Sequence, residues 1–251
     1  MKGRLESSDL AGEAYLIIRE RILRGETPIG HVISRRKIAA ELGMSFLPVS
    51  EAFLRLEFEG LLESRPRAGT RVRIPSREDV QGHYRVREAL EVEAARLFVD
   101  TATPKERAEL LKLAARVDAM SVQPETNHIH YLKLHEKLHR RIAECTRCPA
   151  LVEAIEETCA LSSTWLCVSR KFSNGHAPTR HQQLIEALAN GSREAATDAM
   201  RDHVVGSMKR AMERLEPYFR AVKTHGRAYS RNPSKQLSIE TAETSSNGKG
   251  G

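Results

Sequence analysis

The chain has 251 residues, of which 40% are hydrophobic and 29% charged, and its formal charge is +7. That length holds two ordinary domains or one large one, and the composition is globular rather than disordered or collagen-like. No apolar run is long enough to cross a bilayer, and Met1 to Asp9 lack the apolar core of a secretion signal, so a cytoplasmic protein without membrane association is expected. The positive excess is spread along the chain, which permits DNA binding without requiring it.

Residues 10–24 have the spacing of an amphipathic helix, with Ala14, Ile18 and Ile22 four apart, and Gly25 and Pro28 end it. Ser34 is placed to cap a second helix, Arg35 to Leu42, with Ile38, Ala39 and Leu42 inward. Gly43 breaks it. A third helix is expected from about Leu47 to Gly60, with Pro48 in its first turn and Val49, Ala52, Phe53 and Leu56 on its apolar side. After Gly60 the period changes to two. Residues 61–65 and 70–74 read as strands joined by the turn Pro66-Arg67-Ala68-Gly69. Three helices and a hairpin in about 65 residues outline a winged helix-turn-helix.

From Arg77 the pattern is helical. Residues 77–100 place Val86, Leu90, Ala94 and Leu97 on one side. Thr103-Pro104-Lys105-Glu106 is a capping box opening a helix to about Met120. Further helices are expected at about 126–145, from Pro149 to about Arg170, at 178–190, and at 192–220 after Asn190-Gly191-Ser192. The fold class expected is mainly α: an N-terminal winged helix-turn-helix (residues 8–76) and a C-terminal all-α bundle of six helices (77–223). Residues 224–251, rich in Ser, Asn, Gly and Lys, are expected to be a disordered tail.

In a helix-turn-helix the N-terminal residues of the second helix meet base edges in the major groove. Here those residues are Ser45, Phe46, Leu47 and Ser50. Arg67 and Gly69 belong to the wing, which would run along the backbone or minor groove with its arginines near phosphates. Double-stranded operator DNA is therefore the expected partner, and a homodimer on a two-fold site follows, since one winged helix covers only a half-site.

The four cysteines lie between residues 145 and 167, too close together for a disulfide framework; they read as plain buried or loop thiols, the alternative being a redox or metal role for the C-x-x-C pair Cys145 and Cys148. His135 and His139, four apart, share one helix face. By spacing alone they are either a solvated pair or two ligands of a metal.

Stretches along the first 75 residues resemble the winged-helix domain of the GntR family. They include Ile33-Ser34-Arg35-Arg36-Lys37-Ile38-Ala39-Ala40-Glu41-Leu42-Gly43-Met44-Ser45, Pro48-Val49-Ser50-Glu51-Ala52 and Glu59-Gly60-Leu61-Leu62. Arg36 matches a DNA-contacting arginine of that family, and Arg35 beside it is counted with the DNA face. Where family members carry guanine-reading arginines this chain has Phe46 and Ser50, so an unusual operator is expected. Over about 77–215 three further stretches resemble the FCD domain of the FadR-type branch: Tyr84-Arg85-Val86-Arg87-Glu88-Ala89-Leu90-Glu91, Leu138-His139-Arg140-Arg141-Ile142-Ala143-Glu144-Cys145, and Arg180-His181-Gln182-Gln183-Leu184.

That resemblance implies a bundle that dimerises, senses a small organic acid and holds a divalent metal on three histidines and a carboxylate. His139, His181 and His203 match the histidines; the usual Asp is replaced by His135. Four imidazoles favour zinc or nickel over magnesium or calcium. Arg87 lies on the pocket-lining helix and would take a carboxylate effector, unless it pairs with Glu91 on the helix surface. His83, His128, His130 and His176 fit no motif and are expected to be solvent-facing or structural. Two other classes remain: a metal-dependent hydrolase, for which no general base is in evidence, and a DNA-binding structural protein without effector.

Overall fold

The computed structural model describes residues 2–121, 128–168 and 181–224, with the side chains of residues 2–9, 128, 160, 163, 166–168 and 221–224 excepted. The chain divides into two compact units. One holds the residues up to Ile74 and the end of the last helix from Pro217; the other is Pro75–Glu216.

The first unit contains α1 (Lys2–Leu23), β1 (Val32–Ile33), α2 (Arg35–Leu42), α3 (Phe46–Phe58), β2 (Leu62–Arg65) and β3 (Gly69–Val72). The strands form one antiparallel sheet in the order β1-β3-β2. The two-residue β1 escapes sequence reasoning because it is too short to show a period. Ile18 and Ile22 of α1 are buried with Val49, Ala52, Phe53 and Leu56 of α3, so the expected stripes do form this core. Ser34 accepts from the Lys37 backbone N–H, and Gly43 ends α2 in the left-handed conformation that glycine adopts without strain. Ser45 is the N-cap of α3, one residue earlier than expected. Pro48 still falls in the first turn, where a missing N–H costs nothing.

The second unit is built from α4 (Arg77–Thr101), α5 (Pro104–Ser121), α6 (His128–Glu144), α7 (Pro149–Val168), α8 (His181–Asn190) and most of α9 (Arg193–Thr224). The expected six helices are present; the starts and ends placed within 122–127 and 169–180, and the expected tail, lie outside the described residues. A capping box of Ser76 and Asp79 opens α4, and Thr103 with Glu106 opens α5 as the sequence indicates.

Of the four residues expected on one side of α4, Ala94 is buried in the core and Leu90 and Leu97 pack against it, while Val86 is a correction. Val86, expected inside, is 52% exposed, and the buried residues are Val80, Tyr84, Arg87, Glu91, Ala94, Ala95 and Phe98. A buried Arg87 and Glu91 interrupt the apolar stripe, so hydrophobic period alone places Val86 where these polar residues stand. Below them Ala94, Ala143, Leu151, Ile155 and Cys159 pack as one apolar cluster.

Candidate functional site

Four histidines from three helices meet inside the second unit. His135 and His139 come from α6, His181 from the first position of α8, and His203 from α9. Their ring centroids are 4.5–6.5 Å apart, and one ligating nitrogen from each lies within 4.8 Å of all the others. His135, His139 and His181 are buried, and His203 is half-buried.

Two rings are oriented by carboxylates. His139 Nδ1 is 2.6 Å from Glu91 Oε2, and His181 Nδ1 is 2.8 Å from Asp118 Oδ1. With each Nδ1–H donated to a carboxylate, each Nε2 carries a lone pair. Asp118 also accepts from the backbone N–H groups of His181 and Gln182, both at 3.0 Å, so one side chain on α5 caps α8 and sets its first ring. His135 Nδ1, His181 Nε2 and His203 Nε2 are buried without a hydrogen-bond partner.

Three of the rings, His135, His181 and His203, are held neutral. Burial pushes the His135 and His203 pKa values well below the ordinary range, and the neighbouring imidazoles and Arg87 add to the effect. Burial also lowers His181, against the opposing pull of Asp118. Unpartnered lone pairs on neutral imidazoles are the donor set a borderline-soft divalent cation takes.

Arg87 closes one side of the cluster. Its Nε donates to Glu91, its Nη1 lies 3.3 Å from Ser162 Oγ, and its Nη2 lies 3.5 Å from His139 Nε2. The pairing with Glu91 foreseen from their spacing exists, but in the core rather than on the helix surface. Burial alone would raise the Glu91 carboxyl; Arg87 and His139 overcome it and hold Glu91 ionised. A second grouping, Glu91, His139 and Cys159, is geometrically possible for an ion. It is the poorer donor set, because Glu91 is already engaged by Arg87 and His139 and burial drives the Cys159 thiol toward its protonated form.

Glu91 and Asp118 were not anticipated as orienting groups. Glu91 carries a weak signal, a carboxylate four residues from Arg87 on a face that also bears Tyr84 and Phe98. Asp118 carries none, since its partner is 63 positions away. His83 is half-buried, with Nε2 2.7 Å from the Thr158 carbonyl, and its ring stacks edge-on with Trp165. His130 and Arg85 are exposed. The His128 side chain and His176 lie outside the described residues. Cys145, Cys148 and Cys159 are free thiols.

In the first unit Ser45, Phe46, Leu47, Arg36, Arg67 and Gly69 are all exposed. Arg67 holds a left-handed φ of 63° at the wing tip, and Gly69 follows at 79°. A Cβ on Gly69 would meet only Val32 at an ordinary 3.7 Å, so its positive φ, not close approach, accounts for the glycine. Two expected DNA-facing residues are placed otherwise. Arg35 is drawn to Glu57 at 2.6 Å and lies over the Phe53 ring, binding α2 to α3. The Ser50 hydroxyl is buried and unpartnered.

A three-helix unit with a β wing and an exposed third-helix N-terminus, followed by a helical domain around a polar centre, defines a DNA-binding transcription regulator. Comparison with known proteins specifies which. Residues 10–72 match the bacterial regulatory proteins of the gntR family, and residues 83–206 match the FCD domain. The chain is 30% identical over 203 residues to the "Probable D-xylose utilization operon transcriptional repressor" of Paenarthrobacter nicotinovorans, covering 80% of this chain and 88% of that one. It is 23% identical to the HTH-type transcriptional repressor RspR of Escherichia coli K12, over 76% of this chain and 84% of the relative. In fold it is similar to a GntR transcriptional regulator from Rhodococcus sp. RHA1, with a TM-score of 0.65 and 24% identity, covering 83% of this chain and 98% of that one. It is also similar to E. coli McbR/YncC, with a TM-score of 0.60 and 22% identity over 84% and 98% of the two chains. The chain belongs to the GntR family of bacterial transcriptional regulators and carries an FCD domain. It is a regulator and not an enzyme.

Proposed function

We propose that this regulator binds operator DNA as a homodimer and that its helical domain senses a small carboxylate through a divalent metal, zinc or nickel, held by His135, His139, His181 and His203. The supporting observation is the set of three buried histidine nitrogens without partners, on one cluster. A buried polar atom left unpaired costs on the order of 1–3 kcal/mol, and one cation would satisfy all three. Bound there, the metal would supply an electrophilic position for an anionic ligand. Glu91 and Asp118 fix two of the rings, and the Arg87 guanidinium offers Nη2 to a carboxylate arriving beside His139.

The test is elemental analysis of protein purified without chelator or nickel resin. About one zinc or nickel per chain is expected, with loss in His181→Ala. A metal-free wild type that melts normally and responds to organic acids would refute the metal. Thermal-shift screening of organic acids separates a sensor from a DNA-binding protein without effector. Light scattering should give about twice 28.2 kDa.

A further inference from the structure

The base-facing end of α3 has an unusual chemical inventory. Val49, Ala52, Phe53 and Leu56 turn into the core, so the opposite face of the first two turns is Ser45, Phe46, Leu47, Ser50, Glu51 and Leu54. Phe46 is 54% exposed and Leu47 61%. None of these six is arginine, lysine, asparagine or glutamine; the one arginine of α3, Arg55, lies a turn beyond Glu51, paired with Glu59 at 3.0 Å and set over the Tyr15 ring. The bidentate partners of guanine and adenine are therefore missing from the first two turns of this helix. The Ser50 hydroxyl is turned out of reach, and Glu51 can only accept.

The same unit carries cationic groups on α2 and on the wing. Arg36 and Arg67 are exposed and form no ion pair among the described residues. They can anchor phosphates, but what they hold against the bases is apolar. In the major groove one feature of a base pair is apolar, the C5-methyl of thymine.

We propose that this regulator reads thymine methyl groups through Phe46 and Leu47, so that direct recognition by α3 selects T at adjacent positions of each half-site and disfavours guanine there. Large apolar side chains exposed in water gain by covering a methyl group and lose by facing the bare polar edge of a G·C pair. The neighbouring arginines hold the helix in the groove while adding little sequence preference of their own.

The experiment begins with selection of duplexes from a random pool by the full-length wild-type protein. In the enriched site each thymine is then replaced by uracil, which removes only the C5-methyl, and affinity is read by fluorescence anisotropy. At one or two positions per half-site binding should weaken about three- to five-fold per methyl. In Phe46→Ala with Leu47→Ala that thymine–uracil difference should vanish, whereas Phe58→Ala, at the far end of α3 and 88% exposed, should keep it. All three side chains are exposed, so unchanged melting confirms that the variants fold. Enriched sites indifferent to methyl loss would overturn the proposal alone, as would a methyl effect that survives the double substitution. A wild type that enriches no sequence would overturn it together with DNA binding itself.

Discussion

Asp118 on α5 accepts the Nδ1–H of His181 at 2.8 Å while capping the backbone of the helix that His181 begins. The carboxylate thus fixes the tautomer, the ring plane and the start of α8 together. Asp118→Asn keeps the shape but weakens the acceptor and the interaction with the helix N-terminus. Metal affinity, read by competition with a chromogenic chelator, should fall about 10- to 100-fold, with little change in helix content. Unchanged affinity would mean that His181 is not a ligand.

The Arg87–Glu91 pair is buried on both sides, with side-chain exposures of 0% and 2%. Removing one partner leaves a charge in the core. Arg87→Met should destabilise the protein by about 3–5 kcal/mol. Arg87→Met with Glu91→Leu should cost less than Arg87→Met alone, because no orphan charge remains. Urea denaturation of both variants and of Glu91→Leu closes the cycle, and additive losses would show that the pair is not coupled.

The lowered pKa values of His135, His181 and His203 give the metal-stripped protein a defined pH dependence. In the unfolded chain these rings take up protons as pH falls through about 6.5; in the folded chain they stay neutral to lower pH. The unfolded state then binds more protons, and stability falls with falling pH from about 6.5 until the folded pKa values are reached. Melting temperature should be flat above about pH 7.5 and decline toward pH 5. His135→Gln should make the decline shallower. An equal slope in that variant would place the buried titration elsewhere.

Gly191, which follows α8, has no room for a side chain. A Cβ there would sit 2.4 Å from the Ala187 carbonyl oxygen and 3.1 Å from the Ala195 methyl. Backbone cannot yield as a flexible side chain can. Gly191→Ala should therefore cost about 1–3 kcal/mol, visible as a lower melting temperature with DNA contacts untouched.

How far the sequence discloses this architecture depends on which signal each part carries. The winged helix shows itself because its apolar stripes, its cap at Ser34 and its turn at Pro66–Gly69 are local and agree with one another. The bundle shows its helices for the same reason. Its centre is harder to read. His135 and His139 advertise a shared face by spacing, but nothing local joins them to His181 or His203, and only the resemblance to a known domain grouped them. α4 misleads at one position, Val86, because Arg87 and Glu91 occupy the buried face where hydrophobic period looks for apolar residues. The role of Arg35 depends on Glu57 and Phe53, which approach only once α2 and α3 pack.

Arg35, Arg36 and Arg67 look alike in sequence and should behave differently on substitution. Arg36 and Arg67 are exposed and unpaired among the described residues, one on α2 and one at the wing tip. Arg35 is held by Glu57, with Ser64 Oγ at 3.4 Å and the Phe53 ring 5.0 Å away. A cation at phosphate contributes through counterion release, so its loss weakens binding to every sequence and flattens the dependence on salt. Arg36→Ala and Arg67→Ala should each reduce the slope of log affinity against log salt by about 1 per half-site, with melting unchanged. Arg35→Ala should instead destabilise the first unit by about 1 kcal/mol and leave the slope nearly intact once binding is corrected for the folded fraction. Affinities for one selected duplex at several salt concentrations, with a melting curve for each variant, separate the two roles. A full loss of slope in Arg35→Ala without any change in melting would return that residue to the DNA face.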